Sequence, residues 1–263
     1  MMRVRELGEG PPVLLLHPGP GLDGTVFLPG VELLARSHRV LLADLPGNGH
    51  SPDGDPNEWT LAGFARAVER LATELELEDW TLLGHSFGGF VAMQHLVDFP
   101  GSATRVIASC TDADEEPAPG APELSFEGLP DSVEAAFERE ENIASDEDQR
   151  EVWLDQLPFF APTPEGVEAV RDALADVVYR HDWMRHEDWG DLHALTALAT
   201  CEVPVLAIAG EHDRGTPPAA ARRIAATAPR GELVVLDGVG HFPFAEAPDA
   251  YWGAVREWLD RTG

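Results

Sequence analysis

The chain has 263 residues, 44% of them hydrophobic, enough for one sizeable core or two small ones. Its 47 acidic residues face 18 basic ones, every one an arginine, for a formal net charge of −29. A surface of that sign repels nucleic-acid phosphates and anionic lipid headgroups, which sets aside both classes of partner and disfavours anionic substrates.

Up to Cys110 two textures alternate. Residues 13–17 (VLLLH), 39–47 (RVLLADLPG), 80–86 (WTLLGHS) and 105–110 (RVIASC) are short, continuous apolar runs. Strands buried on both faces of a parallel sheet read this way. The first run is also too short for a signal-peptide core or a membrane span, so a cytoplasmic protein is expected. Between the runs, Leu61, Phe64, Ala65, Val68, Leu71, Ala72 and Leu75 form one helical stripe with Thr60 as its N-cap. Residues 88–97 read as a second helix, ended by DFPG. The stretch 111–132 is acidic, Pro-rich and without strand character.

From 133 to 199 every predicted element is helical, carried by SVEAAFEREENIA, DQREVWLDQL and TPEGVEAVRDALADVVYR. Aromatic residues concentrate here. Trp153, Phe159, Phe160 and Trp183 are candidates for lining a pocket, the plainer reading being that they fasten small helices to the main body. Strand character returns at 203–213 and 231–242, with helices at 217–228 and 248–259. Six strands with one helical interruption predict an α/β fold, a mostly parallel central sheet flanked by helices. The core then comprises 1–111 and 200–263, with a helical cap at 112–199. Cys110 and Cys201 form no disulfide framework and no CxxC pair, and read as free buried thiols.

Ser86, Asp213 and His241 each follow a strand-like run directly, and the carboxyl ends of parallel strands share one crevice. A serine nucleophile needs a base, and the base an orienting carboxylate. GHSFG at 84–88 places Ser86 on a strand–turn–helix elbow, and the order Ser, Asp, His suits such a sheet. Taken singly, Ser86 could be a turn residue, Asp213 an N-cap and His241 a structural loop residue. Backbone amides of Gly19 and Phe87 are the candidate oxyanion hole, because Pro18 and Pro20 have no N–H to give. A tight Pro–Gly turn is the alternative there. His85 is expected to pack away from Ser86, His50 has no task, and Glu211 is a second carboxylate beside Asp213. Glu138 and Glu141, three apart, are expected to share a helix face and could hold a substrate ammonium; a solvated face explains the same letters. No metal and no cofactor are predicted.

These segments, 17–21, 44–51, 84–89, 210–213 and 240–242, together resemble the α/β-hydrolase superfamily. The resemblance implies Ser86 as nucleophile, Asp213 as acid, His241 as base, and the Gly19 and Phe87 amides as the oxyanion hole. It further implies a cap inserted after the sixth strand, with the first of the usual eight strands missing or reduced. HPGPG at 17–21 looks like the His-Gly-Gly-Pro-Gly segment of proline iminopeptidases. GHSFGG and DLPGNGHS depart from that subgroup's nucleophile and following-strand motifs. Those departures favour a small-ester or lactone hydrolase working through an acyl-enzyme, as monomer or homodimer. An iminopeptidase acting on prolyl amides, a cofactor-free haloperoxidase and a non-catalytic ligand-binding member are the alternatives. A serine at position 86 argues against dehalogenases and epoxide hydrolases, which carry aspartate there.

Overall fold

The computed structural model describes residues 1–182 and 189–263, and at position 141 the main chain alone. The strands are β1 (Val4–Leu7), β2 (Pro12–Leu16), β3 (Arg39–Ala43), β4 (Thr81–His85), β5 (Arg105–Ser109), β6 (Val205–Gly210) and β7 (Gly231–Leu236). They form one sheet in the order β1-β3-β2-β4-β5-β6-β7. Only β1 is antiparallel to its neighbour; the remaining pairs are parallel. The helices are α1 (Glu32–Ala35), α2 (Leu61–Glu74), α3 (Phe87–Asp98), α4 (Asp131–Arg139), α5 (Asp146–Phe160) and α6 (Pro164–Ala173). They continue with α7 (Leu195–Leu198), α8 (Pro218–Thr227), α9 (Pro243–Glu246) and α10 (Pro248–Thr262).

Side chains of a strand alternate between faces, so a sheet covered on both sides divides its apolar residues between two cores. Leu14, Leu16, Leu41, Ala43 and Leu82 pack with Phe64, Val68, Val91 and Ile224 of α2, α3 and α8. Their neighbours Val13, Leu15, Val40, Leu42 and Leu83 pack on the other side with Leu34, Tyr251, Trp252 and Trp258 of α1 and α10. The continuous apolar runs therefore mark two-sided burial, as expected. Thr60 caps α2 through a bond from Gly63 N to its Oγ1 at 3.1 Å.

β1 is a seventh strand beyond the six read from the sequence. Its central residues Arg5 and Glu6 are exposed, so it lacks the apolar run that marks the inner strands. The helical insertion leaves the sheet after β5 and returns at β6. Counting the absent first strand of an eight-stranded sheet, β5 is the sixth. Two predicted helices are shorter than expected. The one read over 163–180 ends at Ala173, and the one begun at 132 ends at Arg139, with a 3-10 turn over Glu140–Asn142. Cys110 is buried, whereas Cys201 is only half-buried; both are free thiols. Among the described residues, no helix is long and apolar enough to cross a membrane.

Candidate active site

β4 runs directly into the turn at Ser86, where the backbone takes φ 51° and ψ −117° before α3 begins at Phe87. A non-glycine residue persists at positive φ only where its surroundings hold it. Here Ser86 N donates to Ser109 O at 2.9 Å, and Ser86 O accepts from Gly89 N at 2.8 Å and Thr111 Oγ1 at 2.9 Å. A Cβ at Gly84 would lie 2.6 Å from the Gly88 carbonyl carbon, and one at Gly88 would lie 2.6 Å from His17 O. The two glycines thus let α3 press onto β4 and β2. The serine stands at the carboxyl end of the sheet, half-buried.

Asp213 follows β6 and His241 follows β7, so the topology brings the two together. His241 Nδ1 lies 2.8 Å from Asp213 Oδ2, and both residues are buried. Gly215 N and Thr216 N each donate to Asp213 Oδ1 at 2.9 Å, and Thr216 Oγ1 donates to Oδ2 at 2.9 Å. Three donors in addition to the imidazole fix the carboxylate's rotation. Glu211, the alternative carboxylate, is exposed and accepts from Gly238 N at 3.0 Å.

Glu246, which the sequence reading did not single out, holds the loop carrying His241. Its carboxylate accepts from Gly240 N at 2.9 Å and from Phe242 N at 3.0 Å, the residues on either side of the histidine. Burial pushes this carboxyl above its ordinary value. The signal was a carboxylate five positions after His241, placed by α9 to turn back on the loop.

His85 packs as expected, fully buried between the rings of Phe27, Phe244 and His241. Its Nδ1 lies 3.0 Å from Ser109 Oγ, which Tyr251 OH also meets at 3.0 Å. Burial drives its pKa well down, which favours its neutral form. Cys110, next to Ser109, has its thiol pushed well up by burial and by Asp213. Cys110, Asp213 and His241 are the one grouping of metal-ligand atoms found within 4.8 Å among the described residues. A protonated thiol and an Nδ1 already bonded to Asp213 make it a poor ligand set.

The HPGPG loop is fastened from behind. His17 is buried, and burial keeps it neutral; its Nδ1 donates to Pro18 O at 2.7 Å and its Nε2 accepts from Leu45 N at 3.1 Å. Asn48 Oδ1 accepts from Gly21 N at 2.6 Å, giving the GNGHS segment a task that the sequence did not disclose. His50 itself is exposed and contributes its backbone N–H to Asp44 Oδ2 at 2.9 Å. Neither the Gly19 nor the Phe87 N–H donates to a protein acceptor among the described residues. Both residues line a cavity of about 590 Å³, together with Leu61, Phe90, Trp189 and the Gly215–Thr216 turn that holds Asp213. A second groove of about 1210 Å³, between the 119–129 loop and α8, touches Asp213 and Phe159 but neither Gly19 nor Phe87. Neither space is lined by Ser86 or His241; the smaller one is lined by both candidate oxyanion residues.

The cap residues separate. Phe160 lies against the base, ring centroids 5.2 Å apart, and its carbonyl accepts from His241 N at 2.7 Å. Trp153 stacks on Phe160 at 5.5 Å. Phe159 turns instead toward Phe137 and Phe126, so it fastens helices to one another. Trp183 lies outside the described residues, as does the side chain of Glu141. Glu138 is exposed on α4. The helix ends at Arg139 and tightens to a 3-10 turn over Glu140–Asn142, so the pairing of 138 with 141 lies outside the described side chains. Glu140 is the acidic residue turned toward α5, accepting from Gln156 Nε2 at 2.6 Å.

Burial pushes the Glu140 carboxyl above its ordinary value. A raised folded-state pKa favours the fold below the unfolded value and loses that advantage as pH rises through the folded one. Glu140→Gln, which does not titrate, is therefore expected to gain stability relative to the native chain as pH rises over the range above about pH 4. Paired urea melts across that range measure it; a constant difference at all pH values rules out the shift.

Comparison with known proteins gives one consistent answer. A family model described as the alpha/beta hydrolase fold matches residues 11–248. A pimeloyl-[acyl-carrier protein] methyl ester esterase from Aeromonas hydrophila is 30% identical, over 97% of this chain and 98% of that protein. A proline iminopeptidase from Lactobacillus helveticus is 29% identical over 98% and 92%. The solved structure of a thermophilic esterase from Thermogutta terrifontis superposes with a TM-score of 0.76 at 24% identity, covering 99% of this chain and 93% of that one. Elbow, sheet order, helical insertion and family match agree, and the chain belongs to the alpha/beta hydrolase fold family.

Proposed function

We propose that the chain is a serine hydrolase that cleaves small carboxylic esters or lactones through an acyl-enzyme. Ser86 attacks the carbonyl, His241 takes the serine proton and returns it to the leaving group, and Asp213 fixes the imidazole and stabilises its charged form. The Gly19 and Phe87 amides receive the developing oxyanion. The observation that carries the reading is the junction of a strained elbow at Ser86 with a buried His241–Asp213 pair at 2.8 Å. Esters are favoured by the two relatives named above as esterases. Leu61, Phe87, Phe90 and Trp189 give one side of the 590 Å³ cavity an apolar surface for an acyl or alcohol group, while Asp112, Asp114, Glu115 and Arg214 line it elsewhere.

A prolyl-amide specificity is the second reading, resting on the resemblance to the iminopeptidase. The amine it requires would need a fixed negative charge on the cap. Glu138 faces solvent, and Glu140 is occupied by Gln156 and pushed toward its neutral form.

The test is labelling with a p-nitrophenyl alkylphosphonate, followed by peptide mass spectrometry. A single adduct on Ser86, with loss of p-nitrophenyl butyrate turnover in step with labelling, is the expected result. An adduct elsewhere, or turnover that persists in fully labelled protein, overturns the assignment. Faster release from L-prolyl-p-nitroanilide than from the butyrate ester favours the second reading.

A further inference from the structure

The inner face of α5 holds polar atoms that the fold does not satisfy. Gln149 is fully buried, and neither its Nε2 nor its Oε1 has a hydrogen-bond partner among the described residues. Gln156 is also fully buried; its Nε2 donates to Glu140, and its Oε1 has no partner. A buried amide group without a partner costs about 1–3 kcal/mol, and native folds keep few of them. Three such atoms on one helix call for something to meet them.

Their position relative to the chemistry is fixed at both ends of the helix. Gln149, Trp153, Gln156 and Phe160 follow the spacing of one helical face. At the C-terminal end, Phe160 rests on His241. At the other end, the Gln149 amide rests on the oxyanion loop: a Cβ at Gly21 would lie 3.0 Å from Gln149 Cδ. Gly21 is two residues from Gly19, which lines the smaller cavity. Eleven residues of helix span about 16 Å, so this face runs from His241 at one end to the 17–21 loop at the other.

We propose that Gln149 and Gln156 form a specificity subsite that binds a neutral hydroxyl or amide N–H group of the substrate. The inference rests on the hydrolase reading above and specifies its substrate class. With Gln156 Nε2 held by Glu140, the atom left facing inward is an acceptor, which calls for a donor on the ligand. A carboxylate has none. Gln149 offers both a donor and an acceptor, the complement of a hydroxyl or a secondary amide.

Two matched pairs of esters test this and tell the acyl side from the alcohol side. The acyl pair is p-nitrophenyl 3-hydroxybutyrate and p-nitrophenyl butyrate; the alcohol pair is 2-hydroxyethyl butyrate and propyl butyrate. In at least one pair the hydroxylated ester is expected to be preferred about tenfold or more in kcat/KM. Gln149→Met and Gln156→Met, close in volume but without the amide, are expected to bring that ratio toward one. A ratio near one in both pairs for the native chain overturns the proposal, and so does a preference kept by both variants. Equal loss on both members of a pair, with a lowered Tm, assigns the glutamines to cap packing and also overturns it. If no ester is turned over in a Ser86-dependent manner, it is the hydrolase reading itself that fails.

Discussion

Ser86→Ala is expected to lower kcat on p-nitrophenyl butyrate by about 10⁶-fold, the effect of removing a serine nucleophile that acts as one unit with its base. The residual rate should still exceed the uncatalysed one by about 10³–10⁴-fold, because the Gly19 and Phe87 amides and the pocket remain. The substitution should leave the fold in place. Ser86 makes no side-chain cap bond to α3, and its backbone bonds to Ser109 and Gly89 do not involve the hydroxyl. Alanine at φ 51° bears the strain that serine bears. Single-turnover kinetics with a matched thermal melt measures both quantities. A variant that keeps more than a hundredth of the native kcat at unchanged Tm removes Ser86 from the mechanism.

Asp213→Asn is expected to cost about 10⁴-fold in kcat, the scale of a base held in the wrong tautomer. The carboxylate uses both oxygens as acceptors, Oδ1 for Gly215 N and Thr216 N and Oδ2 for Thr216 Oγ1 and the imidazole Nδ1. An amide has only one oxygen. If it keeps the two backbone donors, its NH₂ faces Nδ1 and the proton moves to Nε2, the atom that must accept from serine. If it turns the other way, the Gly215 and Thr216 N–H groups lose their acceptor. Either arrangement disables the base. NMR of the imidazole nitrogens reports the tautomer, and steady-state kinetics the loss. Glu211→Gln serves as the comparison: it is exposed and bonded only to Gly238 and its own neighbour, so it should change kcat by less than about twofold.

The sequence disclosed those parts of the fold in which burial is two-sided or the backbone is constrained. Residues 13–16 or 205–209 cannot be written without a polar letter unless both faces of the strand are covered, and the sheet bears this out. The elbow was legible because glycines at 84 and 88 have no other purpose than close approach, and the order of Ser86, Asp213 and His241 follows from the topology. β1 was not legible, because a half-exposed edge strand carries polar residues at its centre. Glu140, between the two acidic residues singled out on α4, is turned toward α5 by a tightened turn after Arg139 that the helical spacing alone does not disclose. Asn48 acts on a backbone amide 27 positions away, and Glu246 on two amides six and four positions before it, a proximity that marks no motif by itself. Gln149 and Gln156 read as ordinary letters of a polar helix until their lack of partners is visible.

The bond from His241 N to Phe160 O bears on how molecules reach and leave the site. A cap that swung open at the C-terminal end of α5 would pull on the loop carrying the base and break a 2.7 Å hydrogen bond beside it. That end of the insertion therefore behaves as a fixed wall. Under the proposed function, the opposite rim is the route left to the substrate, where Leu124, Trp189 and Arg214 border the smaller cavity and the exposed Leu124 side chain stands among its lining residues. Exchange is then governed by side-chain rotations and loop adjustments at that doorway, with the base kept aligned between turnovers.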